Sequence, residues 1–327
     1  MADHAVGDDF FVYTGGIAPL HVVNAIIDES VEEIDEEAFR DNRNLRSVVC
    51  HDGLLRIGKR AFVSCSSLQR VKMPGVKIIG DGAFHGCNSL THVECDKLER
   101  IGWHAFTSCT SLKQVKLPKV KTIGASAFSG SGIQDAEFRE DLETIGSGAF
   151  WGSKLRRIAI PLKDGMFQLS PYHGSYTQFH YCNNLTTVDL VGGIHKTVAS
   201  FYSLASLLHH ESWRDEMNAE IQSINEILPD ADHEEKSSEI VEWIQLIISK
   251  IEHYKSEHHA LVKEATALLE LALWKAKLAD FNVVGPGEEK AARKTKIDDV
   301  EGERKEARIT SGADIIIKNV LPYLKME

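Results

Sequence analysis

Apolar residues along the first 190 positions fall into one recurring phrase. An Ala-Phe pair stands at 38–39, 61–62, 83–84, 105–106, 127–128 and 149–150, so the phenylalanines lie 23, 22, 22, 22 and 22 residues apart. A seventh ring, Phe179, follows Gln178 after a spacing of 29. Ile34, Ile57, Ile79, Ile101, Ile123 and Ile145 precede the first six pairs, and a Leu-x-x-Val-x-apolar phrase follows all seven. It reads Leu45-x-x-Val48-x-Cys50, Leu68-x-x-Val71-x-Met73, Leu90-x-x-Val93-x-Cys95 and Leu112-x-x-Val115-x-Leu117 in the first four copies. Ile133-x-x-Ala136-x-Phe138, Leu155-x-x-Ile158-x-Ile160 and Leu185-x-x-Val188-x-Leu190 complete the series. Alternation at period two predicts a short strand with one side inward and the other outward. The Ile-Gly dipeptide predicts a turn, the alanine a close approach and the ring a filled centre. A unit this short cannot bury its own apolar side, so the copies must stack into a solenoid with ladders of like residues. Residues 1–33 read as a partial first unit, with Val22, Val23, Ile26 and Ile27 as its strand, shielding the first full repeat.

After Gly192-Gly193 the spacing turns helical. Residues 196–228 predict one or two helices with Trp213, Met217, Ile221, Ile224 and Leu228 on one side. Pro229 to Asp232 breaks them, and Asp232 is placed to cap the next helix. From 233 to 281 there is neither Gly nor Pro. Ile240, Ile244, Ile247, Ile251, Tyr254, His258, Leu261, Ala265, Leu268 and Ala272 alternate by four and three, the spacing of a coiled-coil seam. An antiparallel hairpin of these two segments leaves the longer arm unmatched near Val262 to Leu278. That stretch is expected to pack on the last helix, on the solenoid end or on a second chain. Residues 285–308 carry seven acidic and seven basic groups among 24, which predicts a flexible charged linker. A last short helix is expected from Ser311. The predicted organisation is therefore α+β: a solenoid over 1–190, a helical coiled-coil-like domain over 191–281, a linker over 282–310 and a short helix over 311–327.

The phrase Ile-Gly-x-x-Ala-Phe-x-x-Cys-x-x-Leu-x-x-Val-x-Leu-Pro, best matched from Ile57 to Pro74 and Ile101 to Pro118, resembles the BspA-type leucine-rich repeat. The resemblance covers roughly residues 20–190 and rests on a pattern repeated at fixed spacing. It implies a right-handed parallel-strand solenoid of about seven 22–23-residue repeats and, in the family, protein recognition or adhesion. His195-Lys196-Thr197, Ser212-Trp213-Arg214, His253-Tyr254-Lys255 and the run Leu269 to Leu278 are similar to an extension found on such repeats in unicellular algae. That second likeness implies no biochemical activity.

Composition narrows the function classes. The 327 residues carry a formal net charge of −11 and 43% hydrophobic residues, the balance of a folded chain. No stretch approaches eighteen uninterrupted apolar residues, so no membrane span is expected. The acidic balance opposes nucleic-acid binding. Met1 to Asp9 is acidic and lacks a basic-then-apolar leader, so a cytoplasmic location is expected, with an exported adhesin as the alternative. Six cysteines in this length do not make a disulfide scaffold. Cys65, Cys87 and Cys109 recur at the repeat period in a column shared with Asn42, Ser131, Ser153 and Cys182, which favours packing over a metal ladder.

Apparent catalytic motifs dissolve into the repeat register. Gly53 to Lys59 has the first seven positions of a phosphate-binding loop, but Arg60 stands where Ser or Thr must hold magnesium. Leu55 to Gly58 aligns with Glu99 to Gly102 and Glu143 to Gly146 in other copies. His253, Glu257 and His258 share a helix face, read as solvated. No cofactor and no catalytic residue is expected, although an enzyme with a site between solenoid and helices is a further alternative. The best candidates for recognition are the outward strand positions, which the core does not need. From the second to the sixth copy they are Arg70 and Lys72, His92 and Glu94, Gln114 and Lys116, Asp135 and Glu137, then Arg157 and Ala159. These are expected to form one continuous strip for an unknown protein partner, with the Tyr172–Tyr176 loop as the second choice. The helical tail is expected to dock or to form homo-oligomers.

Overall fold

The computed structural model describes residues 10–172, 174–191 and 211–282. Each Leu-x-x-Val phrase forms a strand with its valine-column residue buried, except Val93, which is half-buried. The first sheet contains β1 (Phe10–Tyr13), β2 (Asn24–Ile27), β4 (Ser47–Val49), β6 (Arg70–Lys72) and β8 (His92–Glu94), all parallel. A second sheet on the same side contains β10 (Gln114–Lys116), β12 (Asp135–Glu137), β14 (Arg157–Pro161) and β15 (Thr187–Val191). A third sheet runs along another side of the coil: β3 (Glu33–Ile34), β5 (Arg56–Ile57), β7 (Ile78–Ile79), β9 (Arg100–Ile101), β11 (Thr122–Ile123) and β13 (Thr144–Ile145). The isoleucines expected to introduce turns are thus the buried ends of two-residue strands. β1 was not expected either; its Tyr13 is buried against Phe39, 5.1 Å between centroids, and closes the N-terminal end of the ring stack.

The rings of Phe39, Phe62, Phe84, Phe106, Phe128, Phe150 and Phe179 form that stack, with neighbours 5.0 to 5.7 Å apart. The alanine beside each of the first six rings lets the coils approach. Phe62, Phe106 and Phe128 N–H groups donate to the carbonyls of Ala83, Ala127 and Ala149, each at 2.7 Å. The cysteine column completes the pattern from the other direction. The thiols of Cys65, Cys87, Cys109 and Cys182 donate to the carbonyls of Phe39, Phe62, Phe84 and Phe150, at 3.0, 3.1, 3.2 and 2.9 Å. Asn42 makes the same kind of bond to Pro19. A small side chain with a weak donor is what this position requires, and the expected packing role stands. The seventh unit is seven residues longer than the others, the extra length falling between β14 and Phe179. Gln178 replaces the alanine, accepts the Phe150 N–H at 2.9 Å through its carbonyl and closes the insertion with its side-chain amide on Gln168 O at 2.5 Å.

Two helices follow, α1 (Glu211–Ile227) and α2 (Lys236–Asn282). Asp232 caps the segment leading into α2, its Oδ1 accepting from Glu234 N–H at 3.0 Å. Residues 196–210, most of the expected linker and the last short helix lie outside the described residues. The chain forms two compact units, 1–249 and 250–327, whose boundary falls inside α2. In the first unit the helices take over hydrogen bonds that an eighth coil would make. Ser237 Oγ accepts from Phe179 N–H at 2.9 Å, and His233 O from Tyr181 N–H at 3.2 Å. Asn225 Oδ1 accepts from Val188 N–H on the last strand at 2.7 Å. Lys236, 2% exposed, donates its ammonium to Leu185 O at 2.7 Å. Burial lowers the pKa of that ammonium. Trp243 Nε1 ties α2 to Glu220 O of α1 at 2.8 Å, and Ile240, Ile244 and Ile247 are buried. The terminal coil is therefore capped by residues that its backbone needs. In the second unit Ile251 and Tyr254 are buried, whereas Leu271 is 59% exposed.

Candidate protein-binding face

The outward residues of the first two sheets stand in register. On the first sheet one column runs Phe10, Asn24, Ser47, Arg70, His92, and the other Val12, Ile26, Val49, Lys72, Glu94. On the second they run Gln114, Asp135, Arg157, Thr187 and Lys116, Glu137, Ala159, Asp189. Arg70, Lys72, His92, Glu94, Gln114 and Glu137 are exposed; Asp135 and Arg157 are half-buried. Lys116 lies in β10 at the outward register position.

Two features correct the expected continuous strip. No strand ladder joins β8 to β10, so the strip passes from one sheet to another between Glu94 and Gln114, although the two strands remain neighbours. At the far end Ala159 is fully buried, so its column is closed there. Arg157 is also occupied: its Nε lies 2.5 Å from Asp189 Oδ2. Lys72 and Glu94 make a looser pair at 3.9 Å, both well exposed. Such a pair contributes little to stability and leaves both charges available.

Sequence reasoning missed the beginning of this face. Phe10, Val12, Ile26 and Val49 all project outward, and each is exposed. The signal was present for Ile26. Carrying the phrase Leu45-x-x-Val48-x-Cys50 back one period gives Val22-x-x-Ala25-x-Ile27, whose members are the buried ones. Reading Ile26 and Ile27 as one apolar pair hid the fact that only one of them serves the core.

The other candidate elements occupy structural roles. Gly58, in the apparent phosphate loop, continues β5 and donates its N–H to Ile34 O at 2.8 Å. The inserted loop is pinned by Ser170 and Ser175, leaving Tyr172 90% exposed; His173 lies outside the described residues. His253 and Glu257 pair at 3.4 Å on an exposed helix face. Among the described residues no three His, Cys, Asp or Glu side chains converge as a metal site requires. All six cysteines are free and buried. Burial pushes the thiols of Cys50, Cys65, Cys95 and Cys109 up to about 12 and that of Cys182 to about 11. A cleft between the last coils and α2, lined by Lys163, Met166, Phe167, Tyr176, Val241 and Ile244, offers about 30 Å³. That is space for water, not for a substrate of ordinary size. No described helix is long and apolar enough to cross a membrane.

Consistently apolar inward strand columns beside outward columns of varied charge define a repeat solenoid of parallel strands. The profile of the BspA type leucine-rich repeat region matches residues 19–132 and 101–218 in six copies, and the chain belongs to that family. Similar solved structures include a leucine rich cell surface protein from Faecalibacterium prausnitzii, 27% identical over 54% of this chain and 48% of that one, with a TM-score of 0.44. The T. pallidum leucine rich repeat protein is 26% identical over 51% of this chain and 69% of its own, with a TM-score of 0.37. The pneumococcal vaccine antigen PcpA is 18% identical over 55% and 54%, with a TM-score of 0.36. The chain thus spans about half the length of the first of these. A comparison with curated proteins gives no match.

Proposed function

We propose that this protein is a non-enzymatic interaction scaffold whose outward strand face binds a protein partner. The observation that carries the reading is the division of labour within each coil. Inward positions repeat because the core demands them, while outward positions vary in charge and are held by hydrogen-bonded strands. A surface held rigid before binding loses little entropy on association, and mixed charge selects partners by complementarity. Capture with the full chain tests this, because residues 1–190 alone would lose the cap that α1 and α2 supply. Reversing Arg70, Lys72 and Lys116 to Glu should leave melting nearly unchanged, since charges at outward strand positions contribute about 0–1 kcal/mol each. The same reversal should abolish partner capture. Recovery of the same partners would remove this face from consideration and make the loop bearing Tyr172 the next surface to test.

The helical tail is proposed to add self-association, on the strength of exposed Leu271 and Leu273. Light scattering of the full chain at rising concentration should show a dimer; a monomer throughout would end that part of the reading. A reducing, cytoplasmic setting is proposed because every cysteine is spent as a packed thiol. Labelling at pH 8 should be slow in the folded protein and reach six thiols in denaturant, since raised thiol pKa values leave almost no thiolate at that pH. Recovery of four thiols, or of two, would mean disulfides and an oxidising compartment.

A further inference from the structure

The outer face of the first sheet is graded. Over β1, β2 and β4 it presents Phe10 at 42% exposure, Val12 at 53%, Ile26 at 37% and Val49 at 46%. Val23, 41% exposed, adjoins them just before β2. Scattered surface apolar residues need no explanation, but four on one face of three neighbouring strands, with a fifth beside them, form a patch. The following coil changes character. Arg70 and Lys72 occupy the next positions of the same two columns. Arg46 stands in the next coil to Val23, its N–H donating to Val23 O at 2.7 Å. Arg46 and Arg70 form no salt bridge among the described residues, and Lys72 has only the loose contact with Glu94 at 3.9 Å. Apolar surface and three available cations therefore adjoin, in a solenoid region that carries 20 basic and 23 acidic residues overall.

From this arrangement we propose that the outer face of β1, β2, β4 and β6 docks an acidic, aliphatic-rich segment of a partner protein. The inference rests on the reading that the outward strand face binds protein, and it names the chemistry of what is bound. Apolar side chains of the segment cover Val12, Ile26 and Val49, which follow one another at about 4.8 Å per strand. Carboxylates two to four residues further along meet Arg70 and Lys72, with Arg46 at the flank. The apolar part supplies contact area, and the charges set direction and register. Glu94 ends the column and repels a segment whose acidic part runs on too far. The same carboxylate, with the chain's net charge of −11, disfavours an anionic lipid surface.

The test uses the full chain as bait for a random display library of 12-residue peptides. Selected sequences should be enriched in Ile, Leu, Val or Phe, with Asp or Glu two to four residues from them. Synthetic copies should bind at least about tenfold more weakly to an Ile26→Thr, Val49→Thr double variant. Threonine keeps the branched shape that strands favour while removing the apolar surface, so the fold is retained and an unchanged melting curve verifies it. Arg70→Glu with Lys72→Glu should weaken binding by a similar factor, and raising salt should weaken it in the parent. Asp135→Lys with Glu137→Lys, on the other sheet, should have no effect. Failure to select any such composition overturns the proposal, as does binding insensitive to Ile26 and Val49. Peptides that respond only to Asp135 and Glu137 would sink this inference while leaving the outward-face reading intact. Peptides insensitive to outward substitutions on both sheets would sink both. Vesicles of phosphatidylserine and phosphatidylcholine should leave the protein in the supernatant. Co-sedimentation that Val49→Thr abolishes would overturn the proposal in favour of a lipid surface.

Discussion

Replacing Phe106 by alanine should destabilise the protein by about 3–5 kcal/mol, the cost of a large buried side chain plus the cavity left behind. The ring lies between Phe84 at 5.2 Å and Phe128 at 5.3 Å, nearly parallel to both. Neither neighbour can move into the gap, because the backbones of the three coils are tied together. Phe84 N–H donates to Ala105 O at 2.8 Å and Phe106 N–H to Ala127 O at 2.7 Å. Collapse would stretch these bonds, so the cavity stays open. At roughly 2–4 °C per kcal/mol for a unit of this size, the melting temperature should fall by about 10 °C. Phe106→Leu, which refills most of the volume, should lose much less. A Phe106→Ala melting curve within about 2 °C of the parent would show that the rings do not form a continuous stack.

Some of this architecture was legible because the solenoid repeats its causes. The Leu-x-x-Val phrase locates β4, β6, β8, β10, β12, β14 and β15, since alternation over three or more residues separates inward from outward. β3, β5, β7, β9, β11 and β13 were not legible. Two residues cannot show an alternation, and an isoleucine before a glycine reads equally well as the entrance to a turn. Their pairing depends on neighbours 22 or 23 residues away, as in Ile101 with Ile123. The cap was hidden for a related reason. Lys236 and Ser237 look like an ordinary helix start, and only contacts across more than fifty residues, to Leu185 and Phe179, show that they finish the solenoid.

The recognition face was half legible. Arg70, Lys72, His92 and Glu94 follow from the register. The change of sheet after β8 and the burial of Ala159 do not, because both arise from packing around the strand and not from the strand's own composition. The apolar beginning of the face escaped for the opposite reason. In a sequence, an apolar residue next to a strand core is credited to the core, and Val49 beside Val48 shows how that rule fails at a binding surface. A solenoid needs the inward members of each phrase and is indifferent to the residues between them. Apolar residues at those intervening strand positions are therefore informative about partners where the inward ones are not.

The spacing between coils yields the second large effect. Gly124 N–H donates to Ile101 O at 2.9 Å, which holds its Cα against the preceding coil. A Cβ added there would lie 2.6 Å from Gly102 C and 2.7 Å from Trp103 N. Both are backbone atoms, so no side-chain rotation relieves the clash, and the coils must separate. Gly124→Ala should therefore cost about 3 kcal/mol, the upper end for overpacking. The first copy shows the rule by exception: Asp35 occupies the equivalent place where no earlier coil of this kind crowds it, and bonds Tyr13 and Gly16 instead. Gly130 provides the matched control. Its φ of +61° is left-handed, but a Cβ there meets nothing closer than Ser108 Oγ at 3.9 Å. Ser108 itself adopts φ 61° in the preceding coil, so side chains are tolerated in that column. Gly130→Ala should cost only the left-handed penalty of about 1 kcal/mol. Chemical denaturation of the two variants separates steric contact between coils from local backbone preference. Equal losses would mean that the coils do not touch at Gly124, and that the glycine column records turn geometry alone.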